Sequence, residues 1–259
     1  MSTKMDEDDW AHTLAVFRAC LPRRGRKAAD DRRFLEALHF FTVENVRWRA
    51  LPERFGPWNS VWKRFDRLSK AGVFEAFFDT LAAMSSTAHL LQVRLDHRAR
   101  SRVGSRSKGG QEGQALGRSR GGFTTKIHAK SDASGDIIAF DLTGGEASDG
   151  RHFDILLDIG PDIQPRAVIC DKGYASKANR QAARARGIAP VIPHKANERE
   201  KPAFFARILY KARSRIEQGV GRLKRFKRIA LRCEKTARNF RSIVSFAAGL
   251  CLIKFVHTA

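Results

Sequence analysis

The chain has 259 residues, of which 49 are Lys or Arg and 27 are Asp or Glu, so that its net charge is +22. Residues 1–85 hold 15 basic and 12 acidic residues and residues 86–259 hold 34 and 15, which puts the excess in the second part and indicates a polyanionic partner there. The four cysteines lack C-x-x-C spacing and the acidic first nine residues lack an apolar core, which argues against a zinc module and against export.

Residues 10–84 are predicted to form a small helical domain. Apolar residues recur there at helical spacing. Two breaks interrupt the pattern, a Pro/Arg segment at residues 21–27 and a Gly-Pro pair at residues 56–57.

Three aromatic residues follow the second break at helical spacing, namely Trp58, Trp62 and Phe65. We expect their rings to pack in a core, with the flanking Arg64 and Arg67 in solvent. The alternative is that the basic side of this helix reads DNA.

Residues 85–125 are rich in Gly, Ser, Arg and Lys and have the composition of a linker, with a short strand possible at residues 90–95. Strands and helices then alternate, which predicts a mixed α/β fold. A hairpin is expected at residues 123–129 and 137–142, strands at 167–170 and 189–192, and helices at 153–159, 177–186 and 209–227. The apolar residues 243–256 are too few for a membrane span and include Lys254, so they predict a buried terminal helix.

Asp171 directly follows the apolar run at residues 167–170. A carboxylate there lies at the carboxyl end of a central strand, where open α/β sheets place their sites. The Asp-Lys-Gly sequence by itself is equally typical of an ordinary turn.

Four polar residues of the last predicted helix share one face. Tyr210, Arg213, Glu217 and Lys224 are spaced by three, four and seven, so their side chains fall within an arc of about 60°. This face carries one carboxylate framed by two cations and a phenol, which suits a metal-binding carboxylate beside a phosphate. Glu217 could instead be only an i,i+4 partner of Arg213.

Residues 117–121 read G-x-S-x-G, the pattern of a serine hydrolase nucleophile elbow. An elbow needs a strand before Ser119 and a helix after it, whereas here a strand follows. The chain order Ser119, Asp171, His194 leaves a serine hydrolase as a remote alternative.

The motif at residues 210–224 resembles the Y-x2-R-x3-E-x6-K signature of bacterial insertion-sequence DDE transposases, specifically the group called insertion sequence family five. Further blocks are similar to the same group, at residues 109–111, 117–126, 142–145, 171–174 and 235–240, and in the helical segment at residues 48–57. The resemblance covers nearly the whole chain.

The resemblance implies a ribonuclease-H-like mixed-sheet catalytic core at residues 85–256 behind a helical DNA-binding domain at residues 10–84. It implies an Asp, Asp, Glu triad that holds two Mg²⁺ or Mn²⁺ ions, in which Asp171 and Glu217 are two members. Phosphate contacts are expected from Tyr210, Arg213 and Lys224 and also from Arg118, Arg120 and Lys126. The implied partner is double-stranded DNA at transposon ends and target, bound by a homodimer without membrane association, in the bacterial cytoplasm at the nucleoid.

The first Asp of the triad is where this chain departs from the family. Arg94 stands at the expected position, about 15 residues before residue 109, and arginine cannot ligate a metal ion. Asp96 lies two residues further on and is the candidate replacement, displaced by about 6.5–7 Å along a strand.

Residues 94–108 can be encoded so that the neighbouring reading frame gives Asp-Ser-Thr, the family pattern. We hypothesise paired frameshifts, which nucleotide sequence from an independent copy of the element would test. Three functions remain open: a working transposase that uses Asp96, a DNA-binding remnant that has lost cleavage, and a non-enzymatic nucleic-acid-binding module.

Overall fold

A computed structural model of the protein describes residues 3–23, 30–84, 114–119, 122–198 and 204–256, and residues 90–100 by their backbone. The N-terminal part is helical, as predicted. Its four helices are α1 (Glu7–Ala19), α2 (Asp31–Glu44), α3 (Trp58–Lys70) and α4 (Val73–Met84), with two short 3-10 turns, Trp48–Ala50 and Glu53–Phe55, between α2 and α3.

Local sequence signals set the boundaries of these helices. Asp6 and Asp9 form a capping box at the start of α1, and the Asp30 side chain accepts a hydrogen bond from the Arg33 amide at the start of α2. Gly56 adopts a φ of +85°, which a residue with a Cβ rarely does, and Pro57 precedes α3. The predicted Gly-Pro break is therefore confirmed.

The second part of the chain is built on one mixed sheet of six strands. They are β1 (Leu90–Arg100), β2 (Gly117–Ser119), β3 (Gly122–Ser131), β4 (Ile137–Gly144), β5 (Ala167–Cys170) and β6 (Ala189–Val191). The main spatial order is β4-β3-β1-β5-β6, and β2 pairs with the first residues of β3. β3 is antiparallel to β1 and β4, whereas β1, β5 and β6 are parallel. This arrangement agrees with the predicted ribonuclease-H-like α/β core.

Most predicted elements of this part are confirmed within a few residues. Its helices are α5 (Phe153–Asp158), α6 (Lys177–Ala185), α7 (Arg207–Lys211), α8 (Ser214–Lys224), α9 (Lys227–Ala230) and α10 (Ala237–Val256). Two expectations differ from the structure. The short strand allowed at residues 90–95 of the linker-like segment is the longer central strand β1, and the helix expected at residues 209–227 is interrupted between α7 and α8.

The break between α7 and α8 is a local tightening of the helix. The amides of Ala212 and Arg213 bond to carbonyls three residues back, those of Leu209 and Tyr210, at 3.0 and 3.1 Å. Both residues keep right-handed helical dihedral angles. The side chains therefore continue around nearly the same face across the break.

The C-terminal helix α10 joins the sheet to the N-terminal helices. Phe246 is fully buried, and its ring centroid lies 6.1 Å from that of Phe74 and 6.4 Å from that of Phe77 on α4. One hydrophobic core contains residues from both parts. The helix α4 ends at Met84, and the division of the chain into two domains after residue 84 stays a prediction. In the described part of the chain, no helix has the length and apolar composition that crossing a membrane requires.

Candidate active site

Asp171 is the first residue after β5. The four residues of β5 are buried between β1 and β6, whereas Asp171 is partly exposed. Its Oδ1 accepts a hydrogen bond of 2.8 Å from the Gly173 amide and so begins the 3-10 turn Lys172–Tyr174. The buried strand thus fixes the backbone of Asp171, and the turn fixes its carboxylate.

A second carboxylate, Asp149, lies beside the same turn. A Cβ atom added at Gly173 would lie 2.9 Å from Asp171 Oδ1 and 3.5 Å from Asp149 Oδ2, so both oxygens approach one point. Asp149 Oδ1 accepts a hydrogen bond of 2.5 Å from the Lys126 ammonium. Asp149 was not predicted from the sequence, because Ser-Asp-Gly after a strand is typical of an ordinary turn. Its position after β4, at the same end of the sheet as Asp171, is the signal that could have found it.

The buried phenol of Tyr174 forms the wall of this site. Its ring packs against Phe153 with centroids 5.8 Å apart. Burial raises the pKa of Tyr174 well above its usual value, and Cys170, Asp171 and Asp149 raise it further. The phenol therefore stays protonated beside the two carboxylates.

The register of β1 places Arg94 next to Asp171. Val93 pairs with Cys170 in the parallel ladder, so the following residues, Arg94 and Asp171, are level with each other. Asp96 lies within an irregularity of the pairing with β3, between Leu95 and Arg98. The backbone thus places Arg94 beside the carboxyl end of β5, and its assignment to the first triad position stays a prediction. The side chains of β1 are outside the described part of the structure.

Three of the four residues on the predicted functional face are in contact. The Arg213 guanidinium lies 5.6 Å from the Tyr210 ring centroid and 3.3 Å from Glu217 Oε1. Glu217 is 41% exposed in this ion pair. Lys224 is exposed in the last turn of α8.

The helix that carries Glu217 packs against β1, β3 and β4. Arg215 donates a hydrogen bond of 2.9 Å to the Ala133 carbonyl, and Arg222 pairs with Asp136 at 2.5 Å, so the helix is tied to the β3–β4 turn. Gly219 permits a close approach, because a Cβ atom there would lie 2.1 Å from the Gly135 carbonyl oxygen. Glu217 is thus held over the sheet, on a different element from Asp171.

The other residues predicted to contact DNA differ in how far they are exposed to solvent. Arg118 is exposed on β2, and Arg120 lies outside the described residues. Lys126 is only 6% exposed and is paired with Asp149, so it would have to leave this pair to reach a phosphate. Within the described ranges, no three His, Cys, Asp or Glu side chains are grouped closely enough to hold a metal ion.

The serine hydrolase arrangement is not assembled. Ser119 lies on β2 and its hydroxyl donates to the Gly122 carbonyl at 3.0 Å. His194 is paired through Nδ1 with Glu198, which also contacts Arg180. The strand β3 follows Ser119, as expected from the sequence, where an elbow would require a helix.

A buried histidine on β3 packs against the 3-10 turn Asp149–His152. His128 stacks on His152 with centroids 4.3 Å apart, and His128 Nε2 is 2.7 Å from Thr143 Oγ1. Burial, with additional repulsion from His152 and Lys126, lowers the pKa of His128 to about 3. His128 is therefore neutral at physiological pH.

Two solved transposase complexes are among the similar structures. One is a piggyBac transposase synaptic complex with hairpin DNA, 12% identical, covering 99% of this chain and 68% of that chain with a TM-score of 0.48. The other is a pre-cleavage Mos1 transpososome, 13% identical, covering 91% of this chain and 82% of that chain with a TM-score of 0.28.

Two bacterial proteins are similar in sequence. A Burkholderia cepacia protein described as a transposase for insertion sequence element IS402 is 33% identical over 138 residues, which span 50% of this chain and 62% of that protein. A Brucella ovis protein described as a transposase for insertion sequence element IS6501 is 34% identical over 136 residues, which span 51% of this chain and 100% of that protein.

Two family models together match most of the chain. The model for transposases of the IS4/5 family matches residues 5–78, and the model of the transposase DDE domain matches residues 93–252. The second match alone covers more than half of the chain and contains Asp149, Asp171 and Glu217. The chain therefore belongs to the DDE transposases of bacterial insertion sequences.

Proposed function

We propose that this chain is a DNA transposase that cuts the ends of an insertion sequence and joins them to target DNA in a metal-dependent reaction. The observation that carries the proposal is the Asp171 carboxylate, partly exposed at the end of a buried strand, level with position 94 of β1. The positive charge of residues 86–259 suits a DNA partner for this part of the chain.

The side chains at Asp171 and Asp149 carry the type of ligand atom that divalent cations bind. Asp171 and Asp149 offer hard oxygen donors that approach one point, and such donors are the ones that Mg²⁺ and Mn²⁺ prefer. We propose that Asp171 and Glu217, with Asp96, hold two ions, and that Asp149 supports Asp171. When bound, the ions would supply Lewis-acid stabilisation of the attacking and leaving oxygens.

The cations around Glu217 would hold the DNA backbone. Arg213 and Lys224 lie on the same helix face as Glu217, where they can bind the phosphates on either side of the bond to be cut. Tyr210, stacked by Arg213, limits where that guanidinium can point. Arg118 would contact DNA from the exposed strand β2.

Lys126 is better suited to hold Asp149 than to bind DNA. Its buried ammonium donates 2.5 Å hydrogen bonds to Asp149 Oδ1 and to the Ala147 carbonyl. An ammonium at this place fixes the position of the Asp149 carboxylate.

Arg94 is the observation that favours the second candidate, a transposase that binds DNA without cutting it. An arginine level with Asp171 brings a positive charge to the position where the family has a metal-binding Asp. In that case the substitution Arg94→Asp restores cleavage, because it returns a carboxylate to the strand beside Asp171.

A cleavage assay distinguishes the two candidates. The substrate is DNA that carries the ends of the element encoding this chain, incubated with Mg²⁺ or Mn²⁺ and the full chain. A working transposase cuts this DNA, and Asp171→Asn and Glu217→Gln each abolish cleavage while retaining DNA binding. The control is Asp158→Asn, which changes an exposed carboxylate at the end of α5 that is paired with Arg186.

Each outcome favours one candidate function. If Arg94→Asp cleaves the DNA and the native chain does not, the chain is an impaired transposase. Cleavage that survives in Asp171→Asn and Glu217→Gln would refute the catalytic assignment. Equal DNA binding by all variants, without cleavage in any of them, would favour the non-enzymatic module.

A further inference from the structure

An open groove on the N-terminal helices is lined by aromatic and basic side chains. Its volume is about 480 Å³, and its lining residues come from the turn before α3 and from the first turns of α3. They are Arg47, Trp48, Arg49, Trp58, Asn59, Trp62 and Lys63. The groove contains no acidic lining residue.

The sequence predicted these tryptophans to lie in the core, and the structure contradicts that. Trp58 and Trp62 are each 38% exposed, whereas Phe65 on the same helix is fully buried. The two indoles are one helical turn apart on the same face of α3, so they form one continuous apolar surface. Two large rings left in solvent side by side are unusual unless a partner covers them.

The base of the groove is rigid. The Trp48 ring stacks on Phe41 at 3.6 Å between centroids and lies 5.5 Å from Phe65. Since Phe41 and Phe65 are fully buried, the core fixes the position of Trp48. A planar ligand could therefore enter without rearranging the helices.

The cations at the groove are available to a ligand. Arg47, Arg49 and Lys63 are exposed, and none of them is ion-paired with an acidic residue in the described part of the chain. Arg64 and Lys70, on the same helix, are paired with Asp31 and Asp66. Arg49 lies 5.7 Å from the Trp58 ring centroid, so a cation and a stacking surface are adjacent.

Flat apolar surfaces bordered by cations are the chemistry that binds an unpaired nucleotide. The base stacks on an aromatic ring, and the flanking phosphates contact Arg or Lys. The volume is within the range of about 300–1,000 Å³ that accommodates small planar ligands. A base inside a duplex offers only its edges to such rings.

We propose that this groove binds an unpaired nucleotide of a DNA strand, with its base stacked on Trp58 and Trp62 and its phosphates at Arg47, Arg49 and Lys63. The inference rests on the proposed function only in that the partner is DNA. It adds a binding site for single-stranded DNA, such as a base extruded at an end that is being processed.

Binding of short oligonucleotides to the full chain tests the proposal. The probe is a thymidine oligonucleotide of about twelve nucleotides, compared with an oligonucleotide of equal length and charge whose central bases are absent. Tryptophan fluorescence and anisotropy of a labelled strand measure binding. We expect the strand with bases to bind about tenfold more tightly, because stacking is lost without bases.

Variants locate the effect in the groove. The double substitution Trp58→Ala/Trp62→Ala is expected to reduce binding of the complete strand to the level of the strand without bases, while Trp58→Phe keeps most of the affinity because a ring remains. The matched control is Ile155→Ala, an exposed apolar residue on α5 that is 42% exposed. If the double variant fails to fold, Trp58→Phe and the comparison of strands on the native chain still test the proposal.

Three outcomes would overturn the proposal. The first is equal affinity of the native chain for strands with and without bases. The second is tighter, tryptophan-dependent binding of a blunt duplex, which would indicate contact with paired DNA. The third is light scattering that shows a dimer lost in the tryptophan variant with oligonucleotide binding unchanged, which would indicate a contact between two copies. If the chain cleaves DNA ends but binds strands with and without bases equally, only the nucleotide-binding proposal fails. If it binds strands with bases more tightly but does not cleave DNA ends, only the proposed function fails.

Discussion

Gly173 occupies the point that two carboxylates approach. No side chain could be added there without moving Asp171 Oδ1, which would be 2.9 Å from the new Cβ, whereas real Cβ contacts are longer. The glycine therefore serves the geometry of the carboxylates and not a special backbone conformation. A small displacement of a catalytic group is costly because reaction rates depend steeply on its position.

We predict that Gly173→Ala lowers the rate of DNA end cleavage by about tenfold, because a shift of Asp171 by a few tenths of an ångström impairs its alignment. The cleavage assay measures the rate, and urea unfolding measures stability. The control is Gly150→Ala in the neighbouring turn, where the nearest atom to the new Cβ is Asn179 Nδ2 at 3.5 Å, an ordinary contact. Equal rates for the two variants would contradict the prediction.

His128 makes stability depend on pH. Its pKa is about 3 in the folded protein and about 6.5 when unfolded, so between these values the unfolded chain binds the extra proton. The contribution of neutral His128 to the free energy of unfolding is complete above pH 6.5 and is lost as the pH falls towards 3. We predict that this histidine alone lowers the free energy of unfolding by about 2 kcal/mol between pH 7 and pH 5.

Urea unfolding at pH 5, 6 and 7 measures this contribution by comparing the native chain with His128→Asn. The variant keeps the other titrating groups, including Asp136, whose pKa burial raises to about 6. The difference between the two pH profiles therefore reports His128. Parallel profiles would show that this histidine is not the source.

At the scale of elements, the closest approach of α8 to the β3–β4 turn occurs at Gly219, beside the contacts of Arg215 and Arg222 with the same turn. Gly219 lies against the Gly135 carbonyl, while Gly221, two residues later on the same helix, has no atom within 4 Å of an added Cβ. The two glycines thus have opposite structural roles. Gly219 sets the distance of α8 from the sheet, and Gly221 leaves the helix weaker than alanine would.

We predict that Gly219→Ala destabilises the protein by about 1–3 kcal/mol, because the new methyl group would overlap a backbone carbonyl. Gly221→Ala is expected to stabilise it by about 0.5–1 kcal/mol through helix propensity. Urea unfolding of both variants measures the two free energies. Changes of the same sign would mean that α8 is not held by this contact.

Regular elements of the sheet could be predicted from sequence, and irregular ones could not. The runs at β3, β4 and β5 alternate or are continuously apolar, so their pattern identifies them. The strand β1 was partly missed because its arginines lack that pattern and pairing on both sides supplies its stability. The break after α7 was missed because residues 207–224 contain no proline and their helical spacing continues across it, although Ser214 and Glu217 have the Ser-x-x-Glu spacing of a helix start.

The candidate site was predictable only in part, for a related reason. Asp171 and Glu217 follow from strand order and helical spacing, which are local. The approach of Asp149 to Asp171 depends on two turns that meet across the end of the sheet, and no spacing in the sequence encodes that. The exposure of Trp58 and Trp62 likewise depends on the turn that carries Arg47 and Arg49, which leaves the groove open.

At the scale of the whole molecule, the two parts of the chain share a core. Phe246 on α10 packs against Phe74 and Phe77 on α4, so the C-terminal helix completes the hydrophobic core of the N-terminal helices. All four tryptophans lie within the first 62 residues and report on the helical part. A change in α10 should therefore be visible in their fluorescence.

We predict that Phe246→Ala destabilises the protein by about 3–5 kcal/mol and shifts the unfolding transition seen by tryptophan fluorescence together with that seen by circular dichroism. The control is Ile208→Ala, whose side chain is 85% exposed on α7 and whose loss should leave both transitions unchanged. A tryptophan transition that does not move in Phe246→Ala would mean that the helical part unfolds independently.

The short strand β6 has a consequence for self-association. It lies at one end of the described sheet, consists of three residues and contains Pro190, which has no amide hydrogen to donate. An edge of this kind is a poor template for a strand from a neighbouring molecule, so β6 protects the parallel side of the sheet from edge-to-edge aggregation.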